Sequence, residues 1–350
     1  MTRMIRQSMI AYATPLCETV VEAPEPRGTE VLVRISRCGV CHSDLHLYDG
    51  YFSLGGDKQL DVTAGRALPF TLGHEIAGVV EKTGAEADVN IGMSAAVFPW
   101  IGCGECAACR AGEENLCAAP RHLGIQVDGG FATHVLVPHP RYLIEHGSLP
   151  ASLAGAYMCS GLTAFAALKR LSEHAKRGPI LLVGLGGVGM MGLAFAGALF
   201  PHRPIVADID AAKRDAALQA GAAAAYDPTD PAARKALMRA TGGVAGAVDF
   251  AGTDGSLAFA TGSIAKGGKV VITGLIGGSF TTPIAMFPLK AMTIEGTMTG
   301  TLDEACEMMA LARSGKISPV PIIERPLSAA QASLDDLRAG KVVGRVVLVP

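Results

Sequence analysis

The sequence predicts an α/β fold in which a doubly wound parallel sheet is inserted into a mainly β domain. Three observations support this prediction. The chain has 350 residues, which is enough for two domains and a large core. Near residue 155 the pattern changes from short β-like runs to apolar runs that alternate with Ala-rich stretches, as in βαβ units. The C-terminal segment GRVVLVP returns to β character, so we expect the second domain to interrupt the first.

The N-terminal part, up to about residue 155, is predicted to be mainly β. Glycine, proline and aspartate turns separate its short apolar runs, and it shows little sustained helical period. The clearest of these runs cover residues 30–35, 76–80 and 131–137.

The following part, up to residue 296, contains six short apolar runs. They cover residues 180–183, 205–208, 222–226, 245–250, 269–274 and 293–296. Six strands joined by helices make a complete doubly wound sheet, so we expect one sheet with helices on both of its faces.

A glycine-rich motif follows the first of these runs. Gly184-Leu-Gly186-Gly-Val-Gly189 is a G-x-G-x-x-G sequence between the strand-like ILLV and a helix-like run. Such glycines permit a tight turn whose amides hold a pyrophosphate at a helix N-terminus. Asp208 ends the second run, where a carboxylate hydrogen-bonds the adenosine ribose and repels a 2′-phosphate. The motif alone could be a packing turn, but with strand, helix and acid in register it predicts a Rossmann domain that binds NAD.

Composition and charge exclude several partners. The 30 Lys and Arg residues nearly balance the 32 Asp and Glu residues, without any basic run, so nucleic acid and anionic membranes are poor candidates. Residues 178–202 lack acids, lysine and arginine, but the interrupting glycines indicate a turn within a soluble fold rather than a membrane span. The N-terminus lacks the apolar core of a signal peptide, so we expect a cytoplasmic protein with reduced thiols.

Four of the nine cysteines form a tight cluster. Cys103, Cys106, Cys109 and Cys117 lie in GCGECAACRAGEENLC. An odd cysteine count without a signal peptide favours a metal over disulfides. Four thiolates close a tetrahedral zinc shell and leave no position for substrate, which indicates a structural zinc. The spacing alone leaves a redox-active pair or an iron–sulfur cluster open.

A second possible metal site is dispersed along the chain. Cys41, His74 and Cys159 together would fill three positions of a tetrahedral zinc and leave the fourth for an oxygen ligand. A lone buried cysteine or histidine is more often a core residue than a ligand, so the value of these three depends on their context.

Several motifs, in the same order and over nearly the whole chain, resemble the zinc-dependent medium-chain alcohol dehydrogenases. They are CGVCHSDLH, LGHEIAGVV, the four-cysteine loop, DGGFATHV, the glycine-rich motif and GRVVL. The resemblance implies a GroES-like catalytic domain at 1–156 and 297–350, with a structural-zinc loop at about 100–118, and a Rossmann domain at 157–296. It implies an NAD-dependent zinc enzyme that interconverts an alcohol and its carbonyl compound.

The resemblance also implies roles for single residues. Cys41, His74 and Cys159 would bind the catalytic zinc, with Glu75 as an occasional alternative ligand, and Asp44 would orient the ligand imidazole. Ser43 would take the substrate proton and His46 would pass it to solvent. The residues expected to contact the cofactor are His42, Thr163, Gly184, Gly186, Gly187, Val188, Gly189, Asp208, Lys213, Gly274, Leu275 and Arg345.

The sequence gives little information about the identity of the substrate. Trp100, either a pocket wall or a residue packing the cysteine loop, and Leu275 favour a hydrophobic primary or secondary alcohol over a sugar. The 47–72 segment contains several aromatic residues and forms either a flap over the pocket or a solvated loop. His122, like five other histidines, matches no motif and is expected to be an ordinary surface or core residue. We expect a homodimer or homotetramer joined through the strand at 293–296.

Two alternative functions remain at this stage. One is a polyol or formaldehyde dehydrogenase on the same scaffold, although polyol enzymes commonly have Glu as third ligand where this chain has Cys159. The other is a non-catalytic dinucleotide-binding redox sensor that uses the four clustered thiols, which would leave Ser43, Asp44, His46 and Cys159 unexplained.

Overall fold

The structure, a computed structural model, describes residues 2–350. The strands in chain order are β1 (Arg3–Met9), β2 (Cys17–Glu22), β3 (Val31–Gly39), β4 (Tyr51–Ser53), β5 (Gln59–Asp61), β6 (Phe70–Thr71), β7 (Glu75–Thr83), β8 (Ser94–Val97), β9 (His134–Val137), β10 (Leu143–Glu145), β11 (Ile180–Val183), β12 (Ile205–Ala207), β13 (Ala224–Tyr226), β14 (Val244–Asp249), β15 (Ile264–Ile272), β16 (Thr293–Gly296), β17 (Ile322–Pro326) and β18 (Arg345–Val349).

The α-helices are α1 (His42–Asp49), α2 (Ala107–Arg110), α3 (Ala151–Ala156), α4 (Leu162–Lys169), α5 (Ser172–Ala175), α6 (Gly187–Leu199), α7 (Ala211–Gln219), α8 (Ala233–Thr241), α9 (Asp254–Ser263), α10 (Met286–Lys290), α11 (Leu302–Arg313) and α12 (Ala330–Arg338). Short 3₁₀ turns cover Glu114–Leu116, Pro140–Tyr142 and Leu327–Ala329, and a π-helical turn covers Tyr157–Gly161.

The mainly β part is organised around β3. This strand pairs antiparallel with β7, so that Gly39 lies opposite Glu75, and its first half also pairs with β9. The C-terminal strand β18 pairs with the end of β3, placing Leu348 opposite Cys38, and β17 lies beside β18. The two ends of the chain therefore build one sheet. This confirms the predicted insertion, while the boundaries 1–156, 157–296 and 297–350 stay a prediction.

The inserted part is a six-stranded parallel sheet in the order β13-β12-β11-β14-β15-β16. This order is that of a doubly wound sheet, with the strand order reversing between β11 and β14. Strand β11 is buried along its whole length, as expected for a central parallel strand covered on both faces. The predicted Rossmann fold is confirmed, and its switch point lies directly below the glycine-rich motif.

The predicted apolar runs agree with these strands in position but not always in length. The runs at 180–183 and 293–296 coincide with β11 and β16. The largest shift is at β15, which begins at Ile264 because an irregularity between Val244 and Gly246 lets the pairing with β14 start earlier. A bulge of this kind leaves no apolar signature in the sequence.

A continuous helical segment from Ala151 to Lys169 connects the two parts. It is long and apolar enough to cross a membrane, but 94% of its apolar window is buried within the protein, so it is a core helix. The segment at 178–202 forms β11, the glycine-rich turn and α6, as predicted. The π-helical turn within the connecting helix contains Cys159, and such turns are frequent at functional sites.

Candidate active site

Three distant segments bring Cys41, His74 and Cys159 together. Cys41 lies at the N-terminal cap of α1, His74 directly precedes β7, and Cys159 lies in the π-helical turn. One ligand atom from each residue lies within 4.8 Å of the others, and all three side chains are buried. The Sγ atoms of Cys41 and Cys159 are 3.9 Å apart. This set of donors is the one that the sequence identified as a possible metal site.

Asp44 holds two of these segments in place. Its Oδ2 accepts a hydrogen bond from the backbone N–H of Cys41 at 2.8 Å, and its Oδ1 accepts one from Gly73 N–H at 3.2 Å. The same Oδ1 lies 3.2 Å from Nδ1 of His74. Burial opposes a charge on His74, but Asp44 outweighs it and raises the pKa of the imidazole. The carboxylate thus fixes the ring orientation and leaves Nε2 as the ligand atom.

The donor set fits a zinc ion. Nε2 of His74 is buried and has no hydrogen-bond partner within residues 2–350, as expected for a nitrogen that binds a metal ion. The thiol of Cys159 and the imidazole of His74 lower the pKa of Cys41, so the thiolate that zinc requires is favoured. Two sulfurs and one nitrogen leave one tetrahedral position for an oxygen.

Glu75 lies beside this group but does not join it. Its Oε1 accepts hydrogen bonds from Arg345 Nη2 at 2.5 Å and from Ser160 Oγ at 3.2 Å. Both Glu75 and Arg345 are buried. The structure therefore places the carboxylate in an ion pair rather than among the three donors.

The four-cysteine loop forms a second group. The ligand atoms of Cys103, Cys106, Cys109 and Cys117 lie within 4.8 Å of one another. Within the described residues all nine cysteines are free of disulfides. Cys106 caps α2, and the hydrogen bond that its Sγ accepts from Cys109 N–H lowers the pKa of Cys106 to about 6. Four converging thiols, one of them poised to ionise, fit a closed zinc site.

Glu114 anchors this loop to the protein. It accepts hydrogen bonds from Gly102 N–H at 2.9 Å, Arg141 at 2.7 Å and the Tyr142 hydroxyl at 2.7 Å. Gly102 itself has no room for a side chain, since an added Cβ would lie 2.4 Å from Cys109 Sγ. The fold therefore fixes both ends of the metal-binding loop.

Helix α1 carries the predicted proton path. Ser43 and His46 are three residues apart, so they lie on one face of the helix, and both are half-buried. The imidazole of His46 packs on Phe52, with ring centroids 4.6 Å apart. Burial and the neighbouring His42 lower the pKa of His46, which keeps the ring neutral and able to accept a proton.

The glycine-rich turn has the geometry of an anion-binding helix start. Gly184 adopts φ +87°, and a Cβ on Gly189 would lie 1.8 Å from the Gly184 carbonyl oxygen, so both positions require glycine. Gly186 caps α6 without any side-chain hydrogen bond, which leaves the first amides of the helix free for a pyrophosphate. Arg345 lies against Gly187, where an added Cβ would be 2.8 Å from its Nη1.

Asp208 lies beneath this turn. Its carboxylate accepts hydrogen bonds from Leu185 N–H at 2.6 Å and Asp210 N–H at 2.9 Å. Arg214, which the sequence analysis did not identify, donates to the Asp208 carbonyl at 2.7 Å and pairs with Asp227 at 3.3 Å. Its position one turn into α7 is the feature of the sequence that could have identified Arg214.

The remaining predicted cofactor residues are spread over four helices and the loop after β15. Val188 begins α6 after Gly187, Thr163 lies in α4 just after Cys159, and Lys213 is half-buried in α7. Leu275 follows Gly274 in the loop after β15 and is 55% exposed. His42 begins α1 and is exposed.

The segment at 47–72 forms a β4–β5 hairpin whose tip meets the other domain. A Cβ on Gly55 would lie 2.7 Å from the backbone of Gly278, and one on Gly277 would lie 2.6 Å from the Ser53 carbonyl oxygen. The outer strand, Gln59–Asp61, is exposed. The segment therefore spans from the catalytic domain to the loop after β15, a contact that the sequence did not reveal.

Trp100 lies against the metal-binding group. Its indole N–H donates to the carbonyl of Met158, next to Cys159, at 2.8 Å. Its ring meets the His74 ring edge-on, with centroids 5.6 Å apart, and on another side meets His122, with centroids 5.3 Å apart. His122 is buried and not on the surface. No pattern in the sequence indicated that Trp100 contacts both His74 and His122.

Comparison with known proteins matches both halves of the chain. Residues 27–147 match the family model described as alcohol dehydrogenase GroES-like domain, and residues 187–314 match the one described as zinc-binding dehydrogenase. The chain is 34% identical to an NAD-dependent alcohol dehydrogenase of Sulfurisphaera tokodaii, over 98% of this chain and 99% of that protein.

Two further similarities bear on the substrate. A D-arabinose 1-dehydrogenase (NADP(+)) of Saccharolobus solfataricus is 30% identical over 97% of this chain and 95% of its own length. The crystal structure of an alcohol dehydrogenase from Aeropyrum pernix has a TM-score of 0.86 and 29% identity, covering 99% of this chain and all of that one.

Proposed function

The chain belongs to the zinc-dependent medium-chain alcohol dehydrogenase family, an enzyme family that uses NAD and zinc, and we propose that it interconverts a hydrophobic primary or secondary alcohol with its aldehyde or ketone. The observation that carries this proposal is the buried group of Cys41, His74 and Cys159, with Asp44 behind it and the glycine-rich turn beside it. A redox sensor would need neither the oriented imidazole nor Cys159.

Each part of the site has a proposed task. Cys41, His74 and Cys159 hold the catalytic zinc, and Cys103, Cys106, Cys109 and Cys117 hold the structural zinc. When bound, zinc supplies a Lewis acid for the alcohol oxygen and NAD supplies a hydride acceptor. The twelve residues predicted to contact the cofactor keep that role here as a proposal, and Glu75 acts through its pair with Arg345.

The proton of the alcohol leaves through side chains of α1. Ser43 Oγ accepts the proton from the substrate oxygen, and the His46 imidazole accepts it next and releases it to solvent. Asp44 keeps the His74 ring in place throughout, because its two oxygens are committed to Cys41, Gly73 and the ring. The hairpin and the loop after β15 exclude water from the cleft between the domains.

Apolar surroundings favour a hydrophobic substrate body. Trp100 is buried beside the metal-binding group, and Leu275 is an exposed apolar side chain in the loop after β15. The similarity to a D-arabinose dehydrogenase makes a sugar the competing substrate. A panel of alcohols, polyols, sugars and carbonyl compounds, followed by NADH absorbance, tests the proposal. NADH formation with hydrophobic alcohols that a chelator abolishes is the expected result, and turnover of sugars alone, or of nothing, contradicts it.

We also propose a homodimer or homotetramer in the cytoplasm, without nucleic acid or membrane partners. Strand β16 is an edge of the parallel sheet, and Ile284 and Leu289, in the segment that precedes it in the chain, are large apolar side chains that are exposed. Pairing of two such edges would cover them. Light scattering at micromolar concentration should give two or four times the chain mass of 36.0 kDa, and a monomeric mass contradicts the proposal.

A further inference from the structure

His122 is a buried polar residue that the proposed chemistry does not use. Its side chain is 1% exposed, and neither ring nitrogen has a hydrogen-bond partner within residues 2–350. Its backbone, in contrast, is fixed, since the carbonyl accepts from Gln126 N–H at 3.0 Å and the amide donates to Gln126 Oε1 at 3.2 Å. The backbone of His122 is therefore fixed, while its imidazole lies near the backbone of Glu114 without making a hydrogen bond of normal geometry, at a cost in stability.

Other buried histidines of the catalytic domain are paired. His146 Nε2 lies 3.0 Å from Ser94 Oγ and its Nδ1 lies 2.8 Å from the Leu149 carbonyl oxygen. His134 Nδ1 lies 2.9 Å from Thr133 Oγ1. In the described part of the chain, both ring nitrogens are buried and lack a hydrogen bond of normal geometry at His74 and at His122. His74 Nδ1 nevertheless lies 3.2 Å from Asp44 Oδ1 and its Nε2 is a proposed zinc ligand, so His122 is the histidine whose imidazole has no assigned role.

The position of His122 points to the substrate. Trp100 contacts the ring of His74 on one side and the ring of His122 on another, at 5.6 Å and 5.3 Å between centroids. The hydrogen bond from the Trp100 indole to Met158 fixes that arrangement next to Cys159. His122 is thus separated from His74 of the metal-binding group by one aromatic ring, that of Trp100.

The charge state of His122 defines what it can bind. Burial lowers the pKa of His122 to about 4, so the ring is neutral near neutral pH. A neutral imidazole offers one N–H donor and one acceptor nitrogen. This combination complements a hydroxyl or carbonyl oxygen, whereas a carboxylate or phosphate requires a cation.

We propose that His122 is a specificity-determining residue that hydrogen-bonds a second, neutral oxygen of the substrate. This inference rests on the proposed function and refines it. The substrate class is then an alcohol with a mainly apolar body and one further hydroxyl or carbonyl group, such as a diol or a hydroxy ketone, whose reacting oxygen meets Cys41, His74 and Cys159.

The test compares linear diols of increasing length, each with the alcohol of the same length that has a single hydroxyl. The quantity measured is the ratio of kcat/KM for the two members of a pair, which is independent of the fraction of active enzyme. At one length the wild-type enzyme should favour the diol. His122→Leu should lower that ratio about 10-fold to 100-fold, because a binding oxygen loses its partner, and His122→Gln should restore part of it.

His146→Leu is the matched control, because it removes a buried histidine that already has partners. It should change stability but not the ratio. The proposal is overturned if wild type shows no preference for a diol of any length, or if His122→Leu changes both members of each pair by the same factor. If either result is obtained while simple alcohols are still turned over, the proposed function stands and only the role of His122 is refuted. If the wild-type enzyme turns over no alcohol at all, both the proposed function and the role of His122 are refuted.

Discussion

Glu75 Oε1 and Arg345 Nη2 form a hydrogen-bonded ion pair of 2.5 Å in the interior of the protein. Glu75 follows the ligand His74 at the start of β7, whereas Arg345 begins the C-terminal strand β18 and lies against Gly187 of the glycine-rich turn. One buried pair therefore joins the N-terminal segment, the C-terminal return and the cofactor domain at a single point.

Removal of Arg345 should destabilise the whole chain. Arg345→Leu leaves the Glu75 carboxylate buried without a counter-charge, which costs about 3–5 kcal/mol, and urea unfolding measures the loss. The double variant with Glu75→Gln should recover part of it, because the charge is gone. Lys176→Ala, which breaks an exposed pair with Glu173, is the control and should leave the unfolding midpoint unchanged. Equal midpoints for wild type and Arg345→Leu would contradict this prediction.

The two metal groups should respond differently to the loss of one thiol. Cys41→Ser should abolish turnover and lower the zinc content while the fold persists, because the core around the catalytic group is built from both domains. Cys106→Ser should chiefly lower the melting temperature, because it opens a closed site that stabilises a loop with little core of its own. Metal analysis, calorimetry and activity separate the two. Retained activity in Cys41→Ser would refute the assignment of the catalytic zinc.

The sequence predicted what is encoded locally and missed what depends on packing. The Rossmann strands, the turn of Gly184 to Gly189 and the position of Asp208 follow from periodicity and spacing, which adjacent residues carry. The dispersed residues Cys41, His74 and Cys159 could be considered together as possible ligands, but only the resemblance gave that group weight, since no local pattern connects three separate segments.

Other features of the site come from contacts between distant side chains. The packing of Phe52 on His46, the contact of Gly55 with Gly278 and the placement of His122 beside Trp100 are examples. Each of these contacts forms only when the complete fold brings the two residues together, so no periodicity or motif in the sequence predicts it. The hydrophobic character of Trp100 was evident from the sequence, but the unpaired imidazole behind it was not.

The cofactor preference should depend on Asp208. Asp208→Ala removes the carboxylate that repels a 2′-phosphate, so the ratio of kcat/KM for NADP to that for NAD should rise on the order of 10-fold. Asp210→Ala is the control, because it removes the N-terminal cap of α7, at a cost of about 1 kcal/mol, without changing this ratio. An unchanged ratio in Asp208→Ala would show that another residue selects the cofactor.

The hairpin contact should matter for turnover. Gly55 and Gly56 both have positive φ, but an added Cβ meets the backbone of Gly278 only at Gly55 and finds nothing within 4 Å at Gly56. Gly55→Ala should therefore displace the hairpin from the cofactor domain and lower kcat/KM about 10-fold to 100-fold. Gly56→Ala should cause only the backbone strain of about 1–2 kcal/mol that both variants share. Equal losses of activity in the two variants would show that the contact between Gly55 and Gly278 does not contribute to turnover.

The proton path should be visible in the pH dependence of oxidation. Burial lowers the pKa of His46, so the imidazole stays neutral and accepts protons somewhat below its ordinary value of about 6.5. His46→Gln removes this acceptor, so the proton must then be transferred to water or hydroxide. We expect kcat to fall about 10-fold to 100-fold at and below neutral pH, with a smaller loss at alkaline pH, where hydroxide replaces the ring.

Ser43→Ala should lower kcat more severely than His46→Gln, and at every pH, because no solvent species replaces a hydroxyl at the substrate oxygen; its zinc content should stay unchanged. Added imidazole should restore part of the rate of His46→Gln at low pH but not that of Ser43→Ala. If His46 only packs under Phe52, its replacement lowers the melting temperature while the pH profile matches that of wild type and imidazole has no effect. Profiles of kcat against pH, with and without imidazole, therefore distinguish a proton acceptor from a packing residue.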